Sequence, residues 1–335
     1  MKKVLLSLAA VTLFAISAKA AKTVDETMNP LITAMPSLSI APDARSAGMG
    51  DIGVATDADL NSLHWNPAKY SYMQSAGGIT ANYTPWLRKL VSDIDLAHIA
   101  GYYNFGDLAG GIAASFTYFS LGNVSLTDAN GTVLQDVRPN EWSLDLSYYR
   151  KLHEYVSMAV ALRVSLYYHQ PIELPMGTSY FSLGFALQNL GGKMTYDKIT
   201  QNFIPATMRI GVNYELPFDK YNSLTFGVQA DKLMVPSRKS KFADDESGTW
   251  TQEGYSALSS VKGIFQSFAD APGGAKEEFN EVRWGAGLEY SYNKQFFARF
   301  GYSYENYYKG NRNYLTAGAG FHLSIFSLDV AYCIG

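Results

Sequence analysis

The chain has 335 residues, with 27 Lys and Arg against 30 Asp and Glu, and its net charge of −3 is too small to argue for nucleic acid or another polyanion as a partner. Charged residues make up 17% and aromatic residues 14%, with 24 Tyr and 29 Gly, which suits an exported β-barrel with aromatic girdles and would also fit a secreted β-sandwich. The single cysteine, Cys333, excludes an intrachain disulfide and a lipid-modified N-terminal cysteine, and the lack of a further apolar run of about twenty residues excludes a spanning helix.

Lys2 and Lys3 precede an apolar run over 4–16, and Ala18-Lys19-Ala20 offers small residues for cleavage, so residues 1–20 are expected to be a secretory signal peptide. Residues 21–76 contain Pro30, Pro36, Pro42 and Pro67 and no long alternating run, which predicts a plug-like segment rather than wall. From 77 to 335 the chain reads as strands. In 207–216 the residues Met208, Ile210, Val212, Tyr214 and Leu216 share one face, while Thr207, Arg209, Gly211, Asn213 and Glu215 share the other. The same dyad returns in 224–231, 284–292, 296–305 and 326–333. Side chains alternate with period two along a strand, so each segment is a ribbon with one apolar and one charged side. A plug would satisfy the inward charges Asp145, Arg163, Arg209, Asp231, Glu289 and Arg299; otherwise they line water.

Connections alternate in length. Tight ones fall at 104–107, 151–155, 170–178, 217–222, 292–295 and 323–325, and longer polar ones at 84–93, 120–139, 189–203, 236–281 and 305–313. Short turns on one rim and long loops on the other are the habit of outer-membrane barrels, with the short rim facing the periplasm. A Greek-key sandwich has no reason to sort them this way. Two tight turns flank 156–169, which is long enough for one crossing where an up-and-down wall requires two. The last strand also climbs to the long-loop rim, so about twelve strands are recognisable and parity implies about fourteen in a complete barrel. Inside the longest loop, 236–280, Leu258, Val261, Phe265 and Phe268 recur at helical spacing and predict one amphipathic helix over 254–268, packed on the rim or docking a partner.

The residues for catalysis are not assembled by any motif. There is no Gly-x-Ser-x-Gly, His-Glu-x-x-His or Cys-x-x-Cys, and His64, His98, His153, His169 and His322 are scattered without ligand spacing. Gly285, Gly287, Gly318 and Gly320 sit within strands and read as small lumen-facing or bend residues. No enzymatic activity, cofactor or metal is expected.

Several stretches in order carry a resemblance: Ala41-Pro42-Asp43-Ala44-Arg45-Ser46-Ala47-Gly48-Met49-Gly50-Asp51, His64-Trp65-Asn66-Pro67-Ala68-Lys69, Tyr83-Thr84-Pro85-Trp86-Leu87-Arg88-Lys89-Leu90 and Asp93-Ile94-Asp95-Leu96-Ala97. Pro139-Asn140-Glu141, Tyr221-Asn222-Ser223-Leu224-Thr225-Phe226, Lys232-Leu233-Met234-Val235-Pro236 and Ala271-Pro272-Gly273-Gly274 extend it over nearly all of 38–333. With these the chain resembles the PorV family of the type IX secretion system. The resemblance implies an all-β, transmembrane outer-membrane β-barrel of FadL-like type, usually with fourteen strands. It further implies a carrier that takes cargo bearing a C-terminal secretion domain from the translocon to the cell-surface sortase, in contact with outer-membrane lipid. The chain departs from the family near Ala161-Leu162-Arg163-Val164-Ser165-Leu166, where members have further loop and strand, and at Gly335, beyond which members continue with another strand.

A carrier needs a gripping rim rather than catalytic groups. The long loops are candidates by reach, with Trp86 and Trp250 as binding anchors or as members of the membrane's aromatic belt. Arg45, Asp51, Trp65, Asn66 and Pro67 are expected to fix the plug against the wall. The alternative function is a FadL-type channel for hydrophobic small molecules. A lipid-modifying hydrolase would need a Ser/His pair that the sequence does not locate.

Overall fold

A computed structural model describes residues 28–86, 88, 91–106, 109–128, 130–195 and 201–335. The expected signal peptide lies outside the described residues, as do Leu87, Lys89 and Leu90 of the Trp86 loop. No helix among the described residues is long and apolar enough to cross a membrane.

Thirteen strands form one antiparallel sheet. In chain order these are β1 (Gly77–Pro85), β2 (Asp95–Gly106) and β3 (Gly110–Ser120), then, after a loop hairpin of β4 (Val124–Thr127) and β5 (Val133–Val137), β6 (Asn140–His153), β7 (Val156–Val160), β8 (Val164–Leu174) and β9 (Gly177–Gln188). A second loop hairpin, β10 (Lys193–Thr195) and β11 (Gln201–Phe203), precedes β12 (Thr207–Pro217), β13 (Asn222–Leu233), β14 (Val282–Tyr292), β15 (Phe296–Tyr304), β16 (Tyr314–Leu323) and β17 (Phe326–Ile334). Every neighbouring pair in the sheet is a hairpin between strands that are consecutive in the wall. β1 and β17 are its edges, and both run from the short-turn rim to the long-loop rim.

The faces are inverted relative to a soluble protein. Arg209, Asp231, Glu289 and Arg299 are no more than 6% exposed, whereas Ile210, Phe226, Phe300 and Leu328 are 48–57% exposed. A sandwich in water would bury the second set and solvate the first, so this alternation demands an apolar surrounding and a polar interior. Residues 156–169, expected to hold a single strand, instead hold β7 and the first half of β8. The turn Ala161-Leu162-Arg163 closes this hairpin, with Ala161 N donating to Arg163 O at 2.9 Å. Parity is thus kept by a five-residue strand, and the wall has thirteen strands where twelve were legible.

Among the described residues, the segment before β1 contains only short helical turns, at Pro36–Ser39, Ala44–Gly48, Ser62–Trp65 and Pro67–Tyr72. Its first described residues lie on the long-loop rim, where Asn29 N donates to Tyr308 O (3.1 Å) and Ala34 N to Phe203 O (2.8 Å). From there it descends through the lumen. Helix Ala44–Gly48 lies against β15, β16 and β17, whereas Leu60 meets Gly78 on β1, Tyr70 stacks on Tyr102 of β2 at 4.7 Å, and Ser157 on β7 donates to Ala68 O at 2.8 Å. Strands near both edges of the sheet therefore touch one short segment, which requires the sheet to curl around it.

Candidate functional site

Charged side chains of this segment meet inward charges of the wall. Arg45 reaches Asp59 at 3.1 Å and Glu289 at 3.0 Å; Glu289 is shared with Arg299 (2.6 Å), and Arg299 continues to Asp329 (2.5 Å). Burial alone would lower the Arg45 pKa, but Glu289, Asp59 and Asp57 raise it well above the ordinary value and hold the guanidinium charged. Asp43 caps helix Ala44–Gly48 by accepting from Ser46 N at 2.8 Å, and its other oxygen accepts from the Trp65 indole at 2.7 Å. Burial, helped by Asp59, raises the pKa of this carboxyl. The Trp65 ring in turn carries the Arg209 guanidinium 4.6 Å from its centre.

Asn66 joins plug to wall through its amide, which donates to Val54 O and to Leu166 O on β8, both at 2.9 Å. Its oxygen caps the turn Pro67–Tyr72 by accepting from Ala68 N, and Pro67 fills the first position of that turn, where no N–H is needed. Asp51 accepts from the Tyr314 hydroxyl, and burial raises its pKa. Lys69, fully buried, donates to Gly53 O (2.8 Å) and Thr56 Oγ1 (3.0 Å), with its pKa lowered by burial. Close approach of plug to wall depends on missing side chains: Gly50 has φ +74°, and a Cβ on it would sit 2.6 Å from Tyr302 O, while one on Gly287 would sit 2.5 Å from Met49 O. The Gly285 and Gly287 dyad therefore faces the lumen because backbone passes there.

A cap covers the long-loop rim. Residues 236–281 hold three short helices, Gln252–Ala257, Ser260–Gln266 and Ala275–Asn280, around a small core of Phe203, Val235, Tyr255 and Leu258. The single helix expected over 254–268 is broken: Leu258 is extended (φ −60°, ψ 128°), and the Ser259 hydroxyl accepts from Lys262 N at 3.3 Å to start a new helix. Only Leu258 of the expected apolar stripe is buried. Val261 (66%), Phe265 (74%) and Phe268 (42%) are exposed. Trp250 packs against the cap core, and Trp86 packs with Ile94 and Leu121 against Ile40, Leu96 and Phe119 near the top of β2 and β3. These two tryptophans belong to separate clusters.

Beneath the cap lies a buried charge cluster. Lys232 Nζ donates to Glu278 (3.0 Å) and Glu281 (2.7 Å), and Lys309 Nζ to Glu277 (2.6 Å) and Glu281 (2.9 Å). Carboxylate oxygens of Asp270, Glu278 and Glu281 gather within 4.8 Å of one another. Two ammonium groups already occupy this acidic site, so nothing calls for a metal ion. Asp270 accepts from Ser237 N at 2.8 Å through one oxygen; the other is buried without a hydrogen-bond partner. Burial, then Glu281 and Glu278, push the Asp270 pKa up to about 7. The cluster escaped sequence reading because its members span 232 to 309. The Glu278/Glu281 spacing of three was the one local sign.

The family description for the type IX secretion system protein PorV matches residues 23–179 and 167–240. The chain belongs to the PorV family. No curated protein matches it. Among solved structures the CymD monoaromatic hydrocarbon channel resembles this PorV-family chain with 13% identity, 92% of this chain and 93% of that one covered, and a TM-score of 0.33, a likeness too distant to carry an argument. Membership makes the chain a component of type IX secretion with an outer-membrane barrel wall. In PorV-family terms the matched region takes in the plug, with Arg45, Asp51, Trp65, Asn66 and Pro67, and the wall through β13.

Proposed function

We propose that this protein is a non-catalytic outer-membrane carrier of the type IX secretion system. It binds cargo proteins through their C-terminal secretion domain and passes them from the translocon to the cell-surface sortase and attachment complex, after export on its own signal peptide. The supporting observation is the pair Val261 and Phe265, exposed on helix Ser260–Gln266 whose Gly263 side is held by the cap, with exposed Phe268 just beyond the helix end. Contiguous exposed apolar residues on a fixed support mark protein or membrane contact. A channel for hydrophobic small molecules would need an apolar passage. Two cavities among the described residues are lined largely by polar groups: one of about 10 Å³, room for a single water, among His64, Asp145 and Arg163, and one of about 270 Å³ at the short-turn rim among Ser71, Gln74, Asn104 and Lys151.

The test is affinity purification of the tagged protein from detergent-solubilised native outer membranes, with mass spectrometry of its companions, for the wild type and for Val261→Ser/Phe265→Ser. Sortase, translocon or proteins retaining C-terminal secretion domains are expected with the wild type and depleted with the variant. Recovery of the barrel alone with fatty acids would overturn the carrier reading.

A further inference from the structure

The cavity of about 270 Å³ at the short-turn rim lies between the end of the plug and the wall. Residues between 71 and 76 form its plug side, and the β2–β3 turn with Tyr149 and Lys151 at the foot of β6 forms its wall side. These walls are tied together. Asn104 N donates to Ala76 O at 2.8 Å, the Asn104 amide donates to Ser75 O at 3.0 Å, and its oxygen accepts from the Tyr149 hydroxyl at 2.5 Å. Gly110, at φ +71°, brings the turn close to β6, where a Cβ on it would sit 2.1 Å from Tyr149 O.

Two of the lining residues carry donors that nothing uses. Inward cations elsewhere in the wall reach carboxylates: Arg163 meets Asp145, Arg209 meets Asp231, Arg299 meets Glu289 and Lys232 meets Glu281. Lys151, half-buried on the same side of β6 as Asp145 and Tyr149, pairs with no carboxylate among the described residues. Its ammonium lies 4.7 Å from the centre of the Tyr72 ring, which orients it without neutralising it. Ser71 Oγ is buried with no hydrogen-bond partner. The described lining holds no Asp or Glu. A partly enclosed cation with an unused hydroxyl beside it favours an anion, because leaving such groups unpaired is costly.

We infer that this cavity is a carboxylate-binding site, with Lys151 as the charge partner and Ser71 as the hydroxyl donor, for a small organic acid or for the free C-terminal end of a polypeptide presented at the short-turn rim. One ammonium matches a group of single negative charge. A phosphate group, at about −2 and with three acceptor oxygens, asks for more donors than the lining supplies. The volume lies just under the lower bound of about 300 Å³ for pockets that hold small molecules, so the ligand is compact. Met73 and Ala76 give its body apolar contact. The site sits at the opposite rim from the cap and does not depend on the carrier reading.

Isothermal titration calorimetry on the full chain in detergent micelles tests this with acetate, propionate and N-acetyl-alanyl-alanine, each compared with its amide. The expected result is saturable binding of acids, millimolar or tighter, and none of the amides. Lys151→Met should weaken the acids about tenfold or more, as loss of a charge-assisted bond implies, while Lys151→Arg keeps most of the binding. Heat-modifiable gel migration verifies that both variants are folded, and the acid–amide comparison on the wild type stands without them. Tighter binding of the peptide acid than of propionate identifies a chain end as the source; propionate binding as tightly or more tightly identifies free small acids. Acids and amides binding alike, an acid affinity unchanged in Lys151→Met, or no saturable binding of any acid would sink the site and leave the carrier reading untouched.

Discussion

In the lumen, the cations Arg45 and Arg299 are interleaved with Asp59, Glu289 and Asp329, each guanidinium lying between two carboxylates. Under the cap, Lys232 and Lys309 face Glu277, Glu278 and Glu281, and Asp270 adds a fourth carboxyl with an oxygen that nothing satisfies. Both clusters are buried, so neither is screened well by solvent. They differ in balance. Alternating charges make the plug a fixed strut. The acid surplus of the cap leaves one carboxyl poised within the physiological range.

The most damaging change is expected in the strut. Arg45→Ala leaves Asp59 without its cation and Glu289 with Arg299 alone, and breaking a buried pair costs at most about 3–5 kcal/mol. The urea midpoint of the folded barrel in detergent should fall accordingly; an unchanged midpoint would mean that the plug contributes nothing to the wall. Gly50→Val comes next, since it forces a branched side chain into a left-handed backbone against Tyr302 O, at a cost of roughly 1–3 kcal/mol in strain alone. The same denaturation measurement checks it.

The cap responds to pH instead. An Asp270 carboxyl raised from 3.8 to about 7 holds its proton in the folded cap and releases it when unfolded, so its contribution to stability is present at low pH and is lost as pH rises from about 4 through 7. Limited proteolysis of 236–281 should run faster at pH 8 than at pH 5 in the wild type. In Asp270→Asn the difference should shrink, and a wild-type rate independent of pH would remove Asp270 from the account. The smallest effect on stability is expected for Phe265→Ser, under about 0.5 kcal/mol because the side chain is already exposed. A large loss of midpoint there would show that Phe265 is core rather than contact surface.

Alternation made the wall legible because a period of two survives wherever one face meets lipid and the other meets polar groups. Arg209, Asp231, Glu289 and Arg299 were placed inward by that pattern alone. Their partners were not readable, since Arg45 and Glu289 are 244 positions apart and no local rule joins them. The β7–β8 turn was missed for a local reason: Ala161-Leu162-Arg163 has no Gly, Pro, Asn or Asp to announce it. At the broken cap helix a sign was present, because Ser259-Ser260 offers an N-cap in mid-stripe. Helical spacing of the apolar residues hid it.

The path of the first fifty described residues bears on how the molecule comes into being. The chain lies on the long-loop rim near Asn29, passes down the lumen through Gly50 and Asn66, and leaves at the short-turn rim as β1 begins at Gly77. A peptide fastened inside by Asn66 to β8, by Asp51 to β16 and by the Ala68 carbonyl to Ser157 on β7 cannot easily be threaded through a wall already rolled up. The sheet must wrap as the strands are laid down, with the leading peptide serving as the mandrel. Contacts separated by more than two hundred positions then form late, and the rate of assembly is set by how long the mandrel waits for its last staves.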